Sequence, residues 1–285
     1  MRVCVLHLGT HKTGTTSIQT FLTSNGLALD RQGIYVPQAG RPRRLFGSEE
    51  IGHHNVAWEL NGDQRFDPRA GTLTDLIDEV ASCHHNAVVV SSEDFEYLHA
   101  RPEALARFAA AFEAAGFSVF PLVYLRAQPR YAISLYHELL KHGLNASPES
   151  FVADLRQHGE FRFRNSWIFQ FKYSRLLDAL AAVFDRSRVI ARPYVEGKPN
   201  SYLLHDVLSV FQRFGAPLDI GKLRLPSRLN RSSLPNNYEV PDLADLFEAD
   251  NERVERTYGC GSIDVWQPAA TSTGVIAQFF RQVAS

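Results

Sequence analysis

Short, nearly continuous apolar runs constrain the fold of this chain more than any other feature of its sequence. The clearest are residues 3–8, 87–90 and 119–125, with a weaker run at 189–191. Runs of this length without polar alternation are typical of strands that are covered on both faces of a parallel sheet. Stretches with the 3.6-residue period of an amphipathic helix lie between them. This alternation predicts an α/β protein with a mainly parallel central sheet flanked by helices.

Six stretches have the helical period, and two of them carry residues that favour a helix end. Pro129 is suited to the first turn of one helix, and Gly116 follows another as an expected C-cap. A polar, glycine-containing and basic stretch at residues 38–55 is expected to form a long loop or lid. The expected helices are residues 15–23, 73–80, 102–115, 129–141, 169–184 and 243–258.

The composition suits one domain, which is expected to span residues 1–285. Hydrophobic residues make up 45% of the chain, and the formal net charge is −1, so no nucleic-acid partner is expected. No stretch stays apolar for the roughly 18 residues that a membrane span needs. The first apolar run is too short for a signal peptide, and three widely spaced cysteines form neither a disulfide framework nor a metal pattern. These features favour a cytoplasmic protein.

The loop after the first apolar run is the most informative segment. It lies between a buried strand and an amphipathic helix, where helix N–H groups and the helix dipole favour an anion. Its glycines would let the backbone approach a phosphate, its lysine would add positive charge, and its threonines would add hydroxyl donors. The loop consists of Gly9, Thr10, His11, Lys12, Thr13, Gly14, Thr15 and Thr16.

The position of the lysine separates this loop from the P-loop of nucleoside-triphosphate-binding proteins. That P-loop ends in Gly-Lys-Ser/Thr. Here Lys12 precedes Gly14, and Thr15 follows the glycine directly. The order of residues therefore favours a phosphate-containing ligand other than a triphosphate, with a tight strand-to-helix turn as the alternative.

Residues 7–19 resemble the 5′-phosphosulfate loop of sulfotransferases that use 3′-phosphoadenosine 5′-phosphosulfate (PAPS), particularly bacterial members that act on carbohydrates or other small acceptors. Residues 124–136 resemble the 3′-phosphate site of that family, a strand that ends in arginine followed by a helix that carries a serine. Arg126 and Ser134 hold these two positions. A guanidinium at a strand end can bind phosphate through two parallel hydrogen bonds.

The resemblance implies a P-loop-NTPase-like sulfotransferase fold and a role for each motif residue. Lys12 would meet the charge that develops on the bridging oxygen as the product nucleotide 3′-phosphoadenosine 5′-phosphate (PAP) leaves. The residues that would hold the 5′-phosphate are Gly9, His11, Lys12, Thr13, Gly14, Thr15 and Thr16. Arg126 and Ser134 would hold the 3′-phosphate. A late polar segment resembles the loop that closes over the 3′ side of the nucleotide, and its donors are Arg228, Asn230 and Ser232.

Two residues are candidates for the base that takes the proton of the acceptor. Glu93 belongs to the segment that directly follows the run at residues 87–90, and its carboxylate would lie beside the donor loop. If Asp94 supports the local structure, Glu93 is left for catalysis. His54, in an expected loop, is the other candidate, because imidazoles titrate near neutral pH. The adjacent histidine pairs lack metal-ligand spacing, so no metal is expected.

The predicted function is transfer of a sulfuryl group from PAPS to a hydroxyl or amine of a carbohydrate or other small acceptor. Sugars and phenols fit the acceptor side equally well, and the oligomeric state is left open by the sequence. A small-molecule kinase with a related loop is one alternative, and it would depend on Mg²⁺. A non-catalytic nucleotide- or glycan-binding module is the other, and it would bind without turnover.

Overall fold

Five short strands form the centre of the computed structural model, which describes residues 1–42, 51–196, 198–216, 218–224 and 241–260. They are β1 (Arg2–His7), β2 (Ile34–Tyr35), β3 (Ala87–Ser91), β4 (Phe117–Leu125) and β7 (Ile190–Pro193). Their order in the sheet is β2-β3-β1-β4-β7, and each neighbouring pair is parallel. The prediction of a mainly parallel α/β sheet is confirmed.

Helices cover both faces of this sheet. They are α1 (Thr15–Ser24), α2 (Gly26–Asp30), α3 (His54–Asn61), α4 (Leu73–Ser82), α5 (Pro102–Ala114), α6 (Gln128–Lys141), α7 (Pro148–His158), α8 (Tyr173–Phe184), α9 (Asn200–Arg213) and α10 (Pro241–Tyr258). A 3₁₀ helix spans Glu93–Ala100, and a separate antiparallel pair is formed by β5 (Glu160–Phe163) and β6 (Trp167–Gln170). Among the helices in the described ranges, none is long and apolar enough to cross a membrane.

The side chains of the central strand alternate between two apolar layers. Val3 and Val5 of β1 belong to the layer that includes α1 and α9. Cys4 and Leu6 belong to the opposite layer, which includes α5 and α8. All four side chains are buried. Because both faces are covered, the strand needs no polar alternation, which explains its continuous apolar sequence.

The strand order brings three connecting segments to one edge of the sheet. β1 lies between β3 and β4, and all three strands run in the same direction, so their carboxyl ends are adjacent. Ligands of open α/β sheets bind at such a point, where the strand order reverses. The loop after β1, Glu93 after β3 and Arg126 after β4 all begin at this edge.

Two local predictions are wrong. The helix expected at residues 169–184 begins only at Tyr173, because the preceding residues form β6. The aromatic side chains of Trp167 and Phe169 are both buried on one face of that strand, and this packing favours extended backbone. His54, expected in a loop, is the first residue of α3, which ends at a left-handed Gly62. Of the expected long loop, residues 43–50 lie outside the described residues.

Candidate active site

The loop between β1 and α1 folds back over the end of β4. The backbone N–H and the hydroxyl of Thr10 both donate to the carbonyl of Tyr124, at 3.1 and 3.2 Å. The Thr13 hydroxyl donates to the carbonyl of Thr10 at 2.6 Å. Gly14 then precedes α1 with a φ of 79°, a left-handed conformation that glycine adopts without steric cost. The loop therefore closes on the N-terminus of α1.

Close contacts leave no room for a side chain at Gly9, and an unpaired hydroxyl lies beside it. A Cβ atom on Gly9 would lie 2.5 Å from Oγ1 of Thr13 and 3.2 Å from Oγ1 of Thr15. The Thr15 hydroxyl is buried and finds no hydrogen-bond partner among the residues that the structure describes. An unpaired buried hydroxyl costs about 1–3 kcal/mol. A ligand oxygen at the start of α1 would remove that cost, so the loop fits a phosphate.

Lys12 is held at both its backbone and its ammonium group. Its φ is 68°, in the left-handed region that costs a residue with a side chain roughly 1–2 kcal/mol. Its carbonyl accepts a hydrogen bond from Nη1 of Arg126 at 3.0 Å, and its Nζ donates to Oε2 of Glu138 at 3.1 Å. Burial would raise the pKa of Glu138, but the charge of Lys12 and a hydrogen bond from Lys141 lower it to about 2. Glu138 is therefore a carboxylate at neutral pH.

His11 is bound by two buried carboxylates. Its backbone N–H and its Nδ1 lie 3.0 and 2.7 Å from Oε2 of Glu96. Its Nε2 lies 3.3 Å from Oδ1 of Asp94 and 2.9 Å from the Tyr97 hydroxyl. Burial alone would lower the pKa of His11, but the hydrogen bonds to Asp94 and Glu96 raise it to about 10. The protonated ring and the backbone donor of His11 are thus used within the protein.

Asp94 connects His11 to the aromatic side of the site. Its Oδ2 accepts a hydrogen bond from the indole N–H of Trp58 and lies 3.3 Å from Nη1 of Arg65. Burial opposes ionisation, but the hydrogen bond from His11 and the charge of Arg65 hold the pKa of Asp94 well below its usual range. The Arg65 guanidinium lies 4.6 Å above the Trp58 ring. Asp94 therefore contacts His11, Trp58 and Arg65 within the protein.

The structure brings the two candidate bases, Glu93 and His54, into one cluster. Oε2 of Glu93 accepts a hydrogen bond from Nε2 of Gln19 at 2.8 Å. Nδ1 of His54 lies 2.8 Å from the Ser92 hydroxyl. Gly52 lies between the Gln19 amide and the His54 ring. A Cβ atom there would be 2.6 Å from Nε2 of Gln19 and 2.8 Å from Nε2 of His54. This cluster lies at the start of the 3₁₀ helix that follows β3.

The neighbouring His53 is used differently. Its Nδ1 accepts a hydrogen bond from the backbone N–H of Ser91 at 3.1 Å, and its Nε2 lies 3.1 Å from the carbonyl of Pro37. Burial lowers the pKa of His53 to about 3, so its ring is neutral at physiological pH. Its two hydrogen bonds join β3 to the segment after β2, next to the cluster that contains His54.

Arg126 is buried, directly follows the last residue of β4 and lies beside the loop. Its side chain is 10% exposed. Nη1 donates to the carbonyl of Lys12, whereas Nε and Nη2 both contact Oε1 of Glu196, the first at 2.5 Å. The Tyr173 hydroxyl donates to the Arg126 carbonyl at 2.5 Å, and the Tyr194 ring lies 5.8 Å from the guanidinium carbon.

Helix α6 presents a stripe of polar residues to this region. Arg130, Ser134 and Glu138 follow one another at intervals of four residues, so they lie on one face of the helix. Arg130 Nε lies 3.8 Å from Oε2 of Glu196, and Glu138 binds Lys12. Ser134 is buried and lies on that face between them. Arg126 thus contacts the loop directly, and Ser134 lies on the helix face from which Glu138 contacts it.

Glu138, Tyr194 and Glu196 are among the side chains that contact this site although the sequence analysis assigned them no role. Glu138 carried a usable signal, because it follows Ser134 by four residues on a predicted helix. Tyr194 and Glu196 had none, since only the pairing of β7 with β4 brings them to the end of β4. Three predicted nucleotide ligands lie outside the described residues: Arg228, Asn230 and Ser232. Within the ranges that the structure covers, no group of three or more His, Cys, Asp or Glu residues could hold a metal ion.

Comparison with known proteins supports the fold. No protein-family model matches the chain, and no curated protein sequence matches it. A crystal structure of a sulfotransferase from Alicyclobacillus acidocaldarius aligns with a TM-score of 0.53 and covers 94% of this chain and 100% of that chain. The chain has a sulfotransferase-like fold. Because the two sequences are 17% identical, the similarity shows the fold alone.

A second structure is much less similar. It belongs to the PezAT chromosomal toxin-antitoxin system of Streptococcus pneumoniae, and it aligns with a TM-score of 0.33 at 11% identity. The alignment covers 90% of this chain and 87% of that chain. A TM-score this low carries no argument about fold or function.

The carboxylate beneath the loop gives a stability prediction. Glu96 is fully buried and accepts hydrogen bonds from His11, from the backbone N–H of Gln170 at 3.1 Å and from the Tyr131 hydroxyl at 3.4 Å. We expect Glu96→Gln to lower the free energy of unfolding by about 3–5 kcal/mol, the scale for breaking a buried ion pair. Urea denaturation at pH 7 measures this change, with exposed Glu103→Gln as the control.

The same variant has a defined pH dependence. The pKa of His11 is raised in the folded protein to about 10, compared with about 6.5 in an unfolded chain. Its contribution to stability is therefore complete below the unfolded value and is lost as the pH rises through the folded value. The difference between wild type and Glu96→Gln should shrink between pH 7 and pH 10. A constant difference over that range would argue against a protonated His11.

Proposed function

We propose that the protein is a sulfotransferase that binds PAPS at the loop between β1 and α1 and transfers its sulfuryl group to a hydroxyl or amine of a small acceptor. One observation carries this proposal. The phosphate-type loop and the arginine at the end of β4 are joined directly, because Nη1 of Arg126 donates to the carbonyl of Lys12 at 3.0 Å. The two proposed anion-binding positions are thus adjacent, as a nucleotide with 5′ and 3′ phosphates requires.

The 5′-phosphate side of the donor would be bound by the start of α1. The backbone N–H groups of a first helical turn have no intrahelical partners, and they combine here with the unpaired hydroxyl of Thr15 and the exposed Thr16. Gly9 and Gly14 allow the backbone to approach the phosphate. We assign Thr13 and His11 to the support of the loop, since their donors are used within the protein.

The 3′-phosphate and the base of the nucleotide would lie on the α6 and β7 side. We assign Arg126 and Ser134 to the 3′-phosphate, on the basis of the family resemblance, the burial of both side chains and the contact of Arg126 with the loop. A small recess beside Gly14 is lined by Tyr194 and Tyr202. Arg228, Asn230 and Ser232 are assigned to the same side by resemblance alone.

The chemistry expected of these residues is positioning and charge stabilisation. The acceptor oxygen would form a bond to sulfur as the bond between sulfur and the bridging oxygen breaks, and the electron pair would leave with the 5′-phosphate. Lys12 can stabilise that leaving oxygen without leaving Glu138, because an ammonium group has three donors. The proton of the acceptor would pass to a base in the cluster at the end of β3.

We assign the base role to Glu93, with His54 as the alternative. Asp94 is occupied by Trp58, His11 and Arg65. Glu93 is partly exposed and is oriented by a hydrogen bond from Gln19. Such a carboxylate can accept a proton from a hydroxyl placed beside the loop. The alternative functions are a small-molecule kinase, which the position of Lys12 disfavours, and a non-catalytic binding module.

Nucleotide binding tests the proposed donor. We expect PAP to bind in the presence of EDTA, and to bind roughly tenfold more tightly than ADP because of charged hydrogen bonds to its 3′-phosphate. Calorimetry measures both affinities. Equal affinities would contradict the 3′-phosphate assignment, and a requirement for Mg²⁺ would favour a kinase.

Turnover separates an enzyme from a binding module. Sulfur-labelled PAPS is incubated with a panel of glycans, phenols and amines, and label transfer is measured for each acceptor. Transfer to any of them supports a sulfotransferase and identifies the acceptor class. PAP binding without transfer to any member of the panel would favour the non-catalytic module.

A further inference from the structure

The phosphate-binding edge of Arg126 is occupied by a carboxylate of this same chain. Nε and Nη2 form the edge through which a guanidinium binds a carboxylate or phosphate with two parallel hydrogen bonds. In this structure both atoms contact Oε1 of Glu196. The other carboxylate oxygen of Glu196 lies 3.8 Å from Nε of Arg130. Glu196 therefore bridges two arginines in the way that a phosphate group would.

The Nε–Nη2 edge of Arg126 cannot bind Glu196 and a phosphate at the same time. The third nitrogen, Nη1, donates to the carbonyl of Lys12, so the Nε–Nη2 edge is the one that can bind an anion through two parallel hydrogen bonds without using Nη1. A second anion next to Glu196 would also face like-charge repulsion. A 3′-phosphate that binds this edge of Arg126 must therefore displace Glu196.

The carboxylate can move more easily than the arginine. The Glu196 side chain is 34% exposed, whereas the Arg126 side chain is 10% exposed. Glu196 lies three residues beyond the last residue of β7, Pro193, and a carboxylate at the surface recovers its hydration when it turns outward. Arg126 would be left as a buried unpaired charge without an anion, which is strongly unfavourable. Exchange of one anion for another avoids that cost.

We propose that Glu196 is an internal anion that competes with the 3′-phosphate of the nucleotide for Arg126 and so sets how tightly donor and product are held. This proposal rests on the proposed function. It gives Glu196 a role in affinity and release: the carboxylate weakens the binding of PAPS and PAP equally at the 3′ position, and it returns to Arg126 as the product leaves. Nucleotides without a 3′-phosphate do not have to displace it.

Calorimetry with two nucleotides tests the proposal. PAP carries the 3′-phosphate, and AMP lacks it. We expect Glu196→Gln to tighten PAP binding roughly tenfold, the scale of a lost charged competitor, and to leave AMP binding within about twofold. Glu113→Gln is the matched control, since Glu113 pairs with Arg188 at 3.5 Å and its loss changes the net charge equally. That variant should leave both affinities unchanged.

A double-mutant cycle identifies Arg126 as the group for which the anions compete. Arg126→Ala should weaken PAP binding about 10- to 150-fold, and Glu196→Gln should add nothing to PAP affinity in that background. Thermal unfolding checks folding of the variants. Glu196→Gln is expected to unfold at a lower temperature than wild type without nucleotide and to show the larger rise with PAP.

The outcomes separate this inference from the proposed function. If wild type binds PAP no more tightly than AMP, the donor assignment fails and the inference fails with it. If wild type prefers PAP, the inference alone is overturned by unchanged or weaker PAP binding in Glu196→Gln. An equal shift for PAP and AMP would also overturn it, because it would show that Glu196 only shapes the loop after β7.

Discussion

Lys12→Met is expected to lower kcat for sulfuryl transfer by about 100- to 1,000-fold, the scale for losing one donor to a developing charge. The PAP affinity should fall far less. Methionine keeps a stem of similar length without the ammonium group, and its Cβ gives the same steric cost at the φ of 68°. The ammonium group is the main difference, and single-turnover kinetics with labelled PAPS measure its contribution.

Lys141→Met is the matched control for this variant. Nζ of Lys141 lies 3.0 Å from the same Glu138 oxygen that Lys12 contacts, but Lys141 is on the exposed end of α6. Its loss should change kcat by less than about twofold. A comparable loss of activity in both variants would show that the effect passes through Glu138. Near-normal turnover in Lys12→Met would remove Lys12 from the catalytic step.

Glu93→Gln is expected to reduce kcat by about 100- to 10,000-fold, the range for removing a general base, while PAP binds as in wild type. The amide oxygen of the variant can still accept the hydrogen bond from Gln19, so the cluster should keep its shape. Calorimetry and label transfer measure the two properties separately. A parallel loss of binding and turnover would indicate a structural role.

The variant His54→Gln tests the alternative base in the same experiment. Nδ1 of His54 is hydrogen-bonded to the Ser92 hydroxyl. Its Nε2 and the amide of Gln19 both lie close to Gly52. If Glu93 is the base, His54→Gln should retain at least about a tenth of wild-type kcat, since a hydrogen-bonding neighbour is worth about 1 kcal/mol. Full activity in Glu93→Gln together with inactive His54→Gln would assign the base to His54.

The parts of the site that lie next to a strand end were accessible to sequence reasoning. Residues 9–16, Glu93 and Arg126 each follow a recognisable apolar run, and parallel strands bring their carboxyl ends to one edge. The reasoning failed where side-chain packing decides the local structure. Trp167 and Phe169 lie in β6 because both are buried on one face of a strand, which a helical pattern in the sequence did not exclude.

The sequence by itself determined the parallel α/β architecture and the order of residues in the loop, because strand burial and glycine positions are local properties. Only the tertiary structure decided which charges face one another. His11 meets Glu96 across 85 residues, and Arg126 meets Glu196 across 70 residues. Such pairs depend on strand order and on which groups are excluded from water, and no short-range pattern encodes either. The sequence predicts an anion site at the loop, and the tertiary structure pairs the cations of that region with carboxylates.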